Sequence, residues 1–139
     1  MNPWPDLRTL VPHAGAMCLL ERIEHCTESE IECATSTHRS PANPLRRDGR
    51  LAALHLAEYG AQAMAVHGGL RNPAAAGRGG MLVAIRDLAL SVERLDDLAG
   101  DLSIRALQLV ANPNGQIYSF TATCGGRRVG SGRVSVMTG

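Results

Sequence analysis

The sequence contains no lysine, since all fourteen of its basic residues are arginines. Chemistry that needs a lysine amine, such as a Schiff base with a carbonyl substrate, is therefore excluded. Aromatic residues make up only 3% of the chain, so a core must be built from Ala, Val, Leu, Ile and Met. The formal net charge of +1 at pH 7 argues against nucleic acid as a partner, because such binding relies on neutralising phosphates.

The sequence also lacks any Cys-x-x-Cys pair, although it has four cysteines: Cys18, Cys26, Cys33 and Cys124. We therefore expect buried thiols rather than a zinc site, and neither a metal nor a cofactor. No apolar stretch has the length of a signal-peptide core or of a membrane-spanning helix. These absences predict a cytoplasmic protein without a membrane partner, built as a single domain over residues 1–139.

The longest predicted helix covers residues 48–69 and is rich in Ala, Leu, Met and Gln, which favour helix. Asp48 is the predicted N-cap, and Gly68-Gly69 is the predicted stop. Most side chains between residues 51 and 66 are apolar or small. We therefore expect this helix to be surrounded on most sides by the rest of the fold.

Three polar side chains interrupt the apolar helix: His55, Glu58 and Gln62. Spacings of three and four residues put them on one face, a turn apart. A carboxylate among apolar residues is costly unless it is paired, solvated through a pocket, or used in chemistry. Glu58 is therefore the first candidate for a catalytic group, and a structural ion pair with an arginine is the alternative. For His55, a buried hydrogen-bonded histidine is an equally good interpretation.

Strand patterns lie on both sides of the helix. The predicted strands cover residues 17–25, 31–37, 81–92, 101–111, 116–124 and 127–137. Arg86-Asp87 is a predicted bulge or solvent-facing interruption of its strand. Gly125-Gly126 and Asn114-Gly115 are predicted turns, the last through positive φ angles. Strands joined by short turns pair antiparallel. One long apolar helix wrapped by a curled antiparallel sheet is an α+β arrangement, the hot-dog fold.

Three stretches resemble, in order, the hot-dog 3-hydroxyacyl-acyl-carrier-protein dehydratases: LVPHAGAMCLLER at residues 10–22, EYGAQA at 58–63 and LAGDL at 98–102. The chain is most similar to the dehydratase-like proteins of bacterial aryl-polyene clusters. The resemblance implies dehydration of a 3-hydroxyacyl thioester to the trans-2-enoyl thioester, with acyl-carrier protein or coenzyme A as the carrier. Because a hot-dog sheet leaves an unpaired edge, we also expect a homodimer, or a heterodimer with a homologue.

The resemblance implies roles for residues around the helix. Glu58 matches the family's helix carboxylate, an acid or base in the reaction, and the helix start at Leu51, Ala52 and Ala53 would hold the thioester carbonyl. The family's loop histidine, fourteen residues before this glutamate, is replaced here by Pro44. His55 and His13 are the candidates to take its place, and for His13 a structural or pocket-lining role is the alternative that the resemblance implies. His38 is a weaker one, and His67 is expected to cap the helix end or meet solvent.

Substrate contacts are predicted at five further residues: Asn43, Gln62, Arg46, Arg47 and Arg50. Asn43 could orient water or the thioester carbonyl, and a turn-forming asparagine is the alternative. The three arginines suit the phosphate of a carrier, and a solvated charged face is the alternative.

The missing loop histidine keeps two other functions open. One is an acyl thioesterase, in which the helix carboxylate activates water and Asn43 or a backbone amide holds the carbonyl. The other is a non-catalytic acyl-binding subunit that pairs with an active dehydratase.

Overall fold

The computed structural model describes residues 4–11, 15–73 and 81–137. His13, a predicted catalytic residue, lies outside them. One helix, α1 (Leu56–Arg71), packs against a six-stranded antiparallel sheet. The strands are β1 (Arg22–Cys26), β2 (Glu30–Thr35), β3 (Met81–Leu90), β4 (Leu102–Asn112), β5 (Gly115–Cys124) and β6 (Arg127–Met137). Single 3-10 turns cover Leu7–Thr9, Gly15–Met17, Thr37–Arg39 and Ala53–His55.

The strand order in the sheet is β1-β2-β4-β5-β6-β3, and all neighbours are antiparallel. After α1 the chain therefore returns to the far edge of the sheet, beside the last strand. In the described part of the chain, β1 and β3 are the two edges of an open sheet. This architecture confirms the predicted hot-dog fold.

Alternate residues of the central strands face the helix, as the two-residue period of a strand requires. Ile104 and Ala106 of β4 and Tyr118 and Phe120 of β5 are buried in this way. Gly60 of α1 faces Phe120 so closely that a β-carbon on the glycine would lie 2.5 Å from the ring. The helix and the sheet are therefore in close contact at this glycine.

The predicted helix start at Asp48 is wrong, because α1 begins eight residues later. Asp48 (φ 52°) and Gly49 (φ 74°) form a tight turn instead, closed by hydrogen bonds of 2.8 and 2.9 Å between Arg47 and Arg50. Asp-Gly favours such turns because both positions need positive φ, and this preference outweighs that of aspartate for an N-cap. At the other end, Gly68-Gly69 stays helical and α1 continues to Arg71.

The predicted irregularities of the sheet are confirmed at two places. The register of β3 against β6 shifts between Arg86 and Ala89, and Asp87 has a φ of 53°. Gly125 and Gly126 have φ angles of 61° and 78° and connect β5 to β6. The first predicted strand, in contrast, starts at Arg22 rather than at residue 17.

The turn between β4 and β5 is confirmed, but its predicted mechanism is wrong. Neither Asn114 nor Gly115 has a positive φ. The side-chain oxygen of Asn112 instead accepts hydrogen bonds from the backbone N–H groups of Asn114, at 2.9 Å, and Gly115, at 3.0 Å. This asparagine side chain mimics a backbone turn, so no left-handed residue is needed.

All four cysteines carry free thiols, and three of them are buried. Burial raises the pKa of Cys33 to about 12. Cys26 is only half-buried, so the expectation of buried thiols holds for Cys18, Cys33 and Cys124. Within the described ranges, no three His, Cys, Asp or Glu side chains come together as ligands for a metal ion. None of the helices described combines the length and apolar character that crossing a membrane requires.

Candidate functional site

Glu58 lies in the first turn of α1, three residues after His55. Both side chains are half-buried, so a ligand can reach them. A negative charge is favoured in the first turn of a helix, where free N–H groups and the helix dipole point at it. Because α1 starts later than predicted, the carboxylate belongs to the helix start rather than to the interior of an apolar helix.

A cleft of about 260 Å³ opens beside the start of α1. It is lined by Leu45, Arg47, Arg50, Ala52, His55, Glu93 and Arg94. Four of the residues predicted for the site therefore share this cleft. Glu58 is not among its lining residues, so the cleft does not enclose the carboxylate.

The connection between β3 and β4 supports one wall of the cleft. The backbone N–H of Ala53 donates to the carbonyl of Glu93 at 2.9 Å, and Ala52 pairs with Arg94 as an isolated β-bridge. The N–H of Leu51 donates to Asp96 Oδ1 at 2.8 Å. The predicted role of Leu51 and Ala53 as donors to a thioester carbonyl is not supported, because both amides are used within the fold.

The side chain of Asp96, which accepts this hydrogen bond from Leu51, is only 6% exposed. Its carboxylate also accepts hydrogen bonds from the guanidinium of Arg94, one of them at 3.0 Å to Oδ1. This guanidinium holds the pKa of Asp96 well below its usual value. The charge of Arg94 is therefore largely compensated at the cleft wall.

Asn43 and Gln62, both predicted to contact substrate, are buried and hold the fold together. Asn43 donates to Tyr59 Oη at 3.2 Å and to the carbonyl of Thr37 at 3.0 Å. Gln62 accepts from the N–H of Leu19 at 2.8 Å and donates to the carbonyl of Met17 at 2.7 Å. Their amide groups tie the preceding loops to α1, and this geometry does not support a role in substrate binding.

Arg46 is not among the residues that line the cleft, unlike Arg47 and Arg50. It donates to the carbonyls of Gly49, at 3.0 Å, and His38, at 3.4 Å. Its side chain therefore braces the loop before the helix. Arg94 and Glu93 line the cleft in its place, and neither was predicted because they lie about forty residues further along the chain.

His38, the weaker catalytic candidate, and His67 are both buried. His38 Nε2 lies 3.2 Å from the carbonyl of Leu98. His67 lies between the carbonyl of Thr27, 3.0 Å from Nε2, and the hydroxyl of Tyr118 at Nδ1. A carbonyl only accepts, so Nε2 carries the proton and Nδ1 accepts from Tyr118. The expectation that His67 caps the helix or meets solvent is wrong. The imidazole is buried and accepts a hydrogen bond from the buried hydroxyl of Tyr118.

The strand order and the single buried helix define the chain as a hot-dog protein. The model of the ApeP-like family, described as ApeP dehydratase, matches residues 5–139. The chain belongs to the ApeP-like dehydratase family. This match confirms the resemblance carried by residues 10–22, 58–63 and 98–102. No curated protein sequence matches the chain.

Solved structures share the fold at low sequence identity. A chain of the dehydratase heterocomplex ApeI:P from Xenorhabdus doucetiae matches with a TM-score of 0.85 and 22% identity, over 98% of this chain and 92% of that one. Zebra fish thioesterase superfamily member 2 matches with a TM-score of 0.63 and 16% identity, over 96% and 93%. A hypothetical thioesterase with coenzyme A from Streptococcus pneumoniae TIGR4 matches with a TM-score of 0.57 and 17% identity, over 85% of both chains.

Proposed function

We propose that the protein removes water from a 3-hydroxyacyl thioester to form the trans-2-enoyl thioester. The observation that carries this proposal is the match of the ApeP-like dehydratase family to residues 5–139. In this reaction a base takes a proton from C2 of the acyl chain, and an acid gives a proton to the C3 hydroxyl, which leaves as water.

Glu58 and His55 are the proposed proton-transfer pair. They lie three residues apart at the start of α1. Both are half-buried, so a substrate can contact them. His55 also lines the cleft through which the substrate would approach. His13 stays the alternative partner of Glu58, as the sequence predicts.

Turnover of 3-hydroxyacyl thioesters by the wild type and by Glu58→Gln tests this proposal. General acid–base catalysis contributes about 10²–10⁴-fold, so Glu58→Gln should lose at least about 100-fold in rate. Glu28→Gln is a suitable control, because Glu28 is an exposed carboxylate whose ion pair with Arg71 spans 3.5 Å at the surface. Equal rates for the two variants would remove Glu58 from the mechanism. Comparison of His55→Gln with His13→Gln then identifies the partner.

An acyl thioesterase is the second candidate, because two of the structures that share the fold are thioesterases. In that reaction Glu58 would activate a water molecule that attacks the thioester carbonyl. Release of free thiol from unsubstituted acyl thioesters separates the two functions, since a dehydratase leaves the thioester intact. Thiol release at the rate of enoyl formation, or above it, would favour the thioesterase.

We propose that the protein works as a dimer, with a second hot-dog subunit against β3. This edge strand and the neighbouring 3-10 turn expose Leu54 (55%), Leu88 (37%) and Leu90 (39%). Unpaired edges with apolar side chains promote aggregation unless they are covered. The similar chain from Xenorhabdus doucetiae belongs to a heterocomplex, which supports a homologue as the partner.

The molecular mass in solution, alone and after mixing with a homologous subunit, tests the assembly. A monomer in both measurements at micromolar concentration would contradict the dimer. Activity that needs the homologue and is unaffected by Glu58→Gln would identify a non-catalytic acyl-binding subunit instead.

A further inference from the structure

A tight turn presents two arginines to the cleft. Arg47 and Arg50 face each other across Asp48-Gly49 and exchange both backbone hydrogen bonds. Side chains directly opposite each other in such a pair project from the same face, with β-carbons about 5 Å apart. Both side chains line the cleft and are exposed, whereas His55, which also lines it, is half-buried.

The charges of Arg47 and Arg50 are not compensated within the part of the chain that the structure describes. Their side chains make no hydrogen bond or ion pair there, unlike seven other arginines: Arg8, Arg22, Arg39, Arg71, Arg94, Arg105 and Arg133. Glu93 is the one carboxylate among the residues that line the cleft, and it is exposed. Two like charges held this close repel each other, so an anion between them would relieve the repulsion.

We infer that Arg47 and Arg50 bind the phosphate of the pantetheine arm that carries the acyl thioester. This inference rests on the proposed function, which makes the substrate a thioester of acyl-carrier protein or of coenzyme A. Both carriers have this phosphate. Guanidinium groups match phosphate oxygens in charge and in the geometry of their paired N–H donors.

The size and shape of the cleft agree with this role. A volume of about 260 Å³ lies below the 300–1,000 Å³ that is common for whole-ligand pockets, so the cleft suits the outer end of the arm rather than an acyl chain. The phosphate would sit at the exposed rim, and the arm would run inward past His55 toward the start of α1. Of the three arginines that the sequence singled out, Arg46 does not take part.

Calorimetric binding of 4′-phosphopantetheine and of pantetheine, which lacks the phosphate, tests the inference without any turnover. The wild type should bind 4′-phosphopantetheine about tenfold more tightly than pantetheine, and Arg47→Gln/Arg50→Gln should lose this preference. Arg127→Gln/Arg128→Gln removes the same charge from exposed positions outside the cleft and should keep this preference. Equal binding of the two compounds by the wild type would overturn the inference.

Kinetics with three carriers locate the contact. In the Arg47→Gln/Arg50→Gln variant, KM should rise for acyl-carrier-protein and coenzyme A thioesters, while kcat and the KM for acyl-pantetheine stay unchanged. A defect confined to the carrier-protein substrate would overturn the inference, because the arginines would then contact the carrier itself. If no thioester is dehydrated, the proposed function fails, and the calorimetric comparison still decides whether the phosphate is bound.

Discussion

Replacement of Gly60 by alanine tests how α1 sits on the sheet. A β-carbon at this position would lie 2.5 Å from Phe120 Cδ1 and 2.6 Å from Cγ, well inside contact distance. The same ring also packs closely over Gly132, where an added β-carbon would lie 3.0 Å from Cε1. Gly60→Ala must therefore displace the helix or the ring.

The expected size of the effect follows from two opposing contributions. Alanine favours the helix over glycine by about 1 kcal/mol. Overpacking of a well-filled core costs about 1–3 kcal/mol. Gly68→Ala gives the first contribution alone, because nothing lies within 4 Å of a β-carbon at Gly68 in the same helix. The two variants should therefore differ by about 1–3 kcal/mol, with Gly60→Ala the less stable.

Thermal unfolding of the two variants measures this difference. For a domain of this size about 3–5 °C corresponds to 1 kcal/mol, so Gly60→Ala should melt about 3–15 °C below Gly68→Ala. Gly60→Ala should cost less stability in a Phe120→Leu background than in the wild type, because the smaller leucine side chain frees space for the added methyl group. If Gly60→Ala raises the melting temperature as much as Gly68→Ala, the helix does not rest against Phe120.

Two further predictions concern buried polar groups. Burial lowers the pKa of His67 and of His38 in the fold, whereas unfolded histidines titrate near 6.5. The unfolded state therefore binds more protons below this pH, and the free energy of unfolding should fall as pH drops from about 6.5, by at most about 1.4 kcal/mol per pH unit for each histidine. Urea denaturation at several pH values measures this slope, which His67→Gln should reduce; an unchanged slope would contradict the prediction. Asp96→Ala leaves the N–H of Leu51 and the Arg94 guanidinium without their acceptor and should cost about 1–3 kcal/mol. Asp97→Ala, at an exposed carboxylate 3.8 Å from Arg94, should cost almost nothing in the same denaturation experiment, and equal losses would refute the role given to Asp96.

Local sequence signals predicted most of the fold. Gly125-Gly126 and Arg86-Asp87 mark a turn and a bulge because their backbone preferences are strong and depend little on distant residues. At Asp48 two local preferences compete, since an aspartate before a helix can be an N-cap and an aspartate before glycine can form a tight turn. Only the pairing of Arg47 with Arg50 shows which preference decides the structure.

The site was less predictable, because its polar groups find partners far along the chain. Gln62 and Asn43 bind backbone carbonyls of Met17 and Thr37, and any residue could supply those carbonyls. Arg94 reaches the cleft through a β-bridge to Ala52, which leaves no pattern in the sequence. Glu58 could be proposed because the chemical type of its side chain stands out among its apolar neighbours.

The connection after β3 joins the exposed edge of the sheet to the cleft. Its residues 93–96 hold the segment before α1 through hydrogen bonds at Leu51 and Ala53, and it continues directly from the exposed edge strand. A subunit that docks on β3 would therefore contact a strand that continues directly into one wall of the cleft.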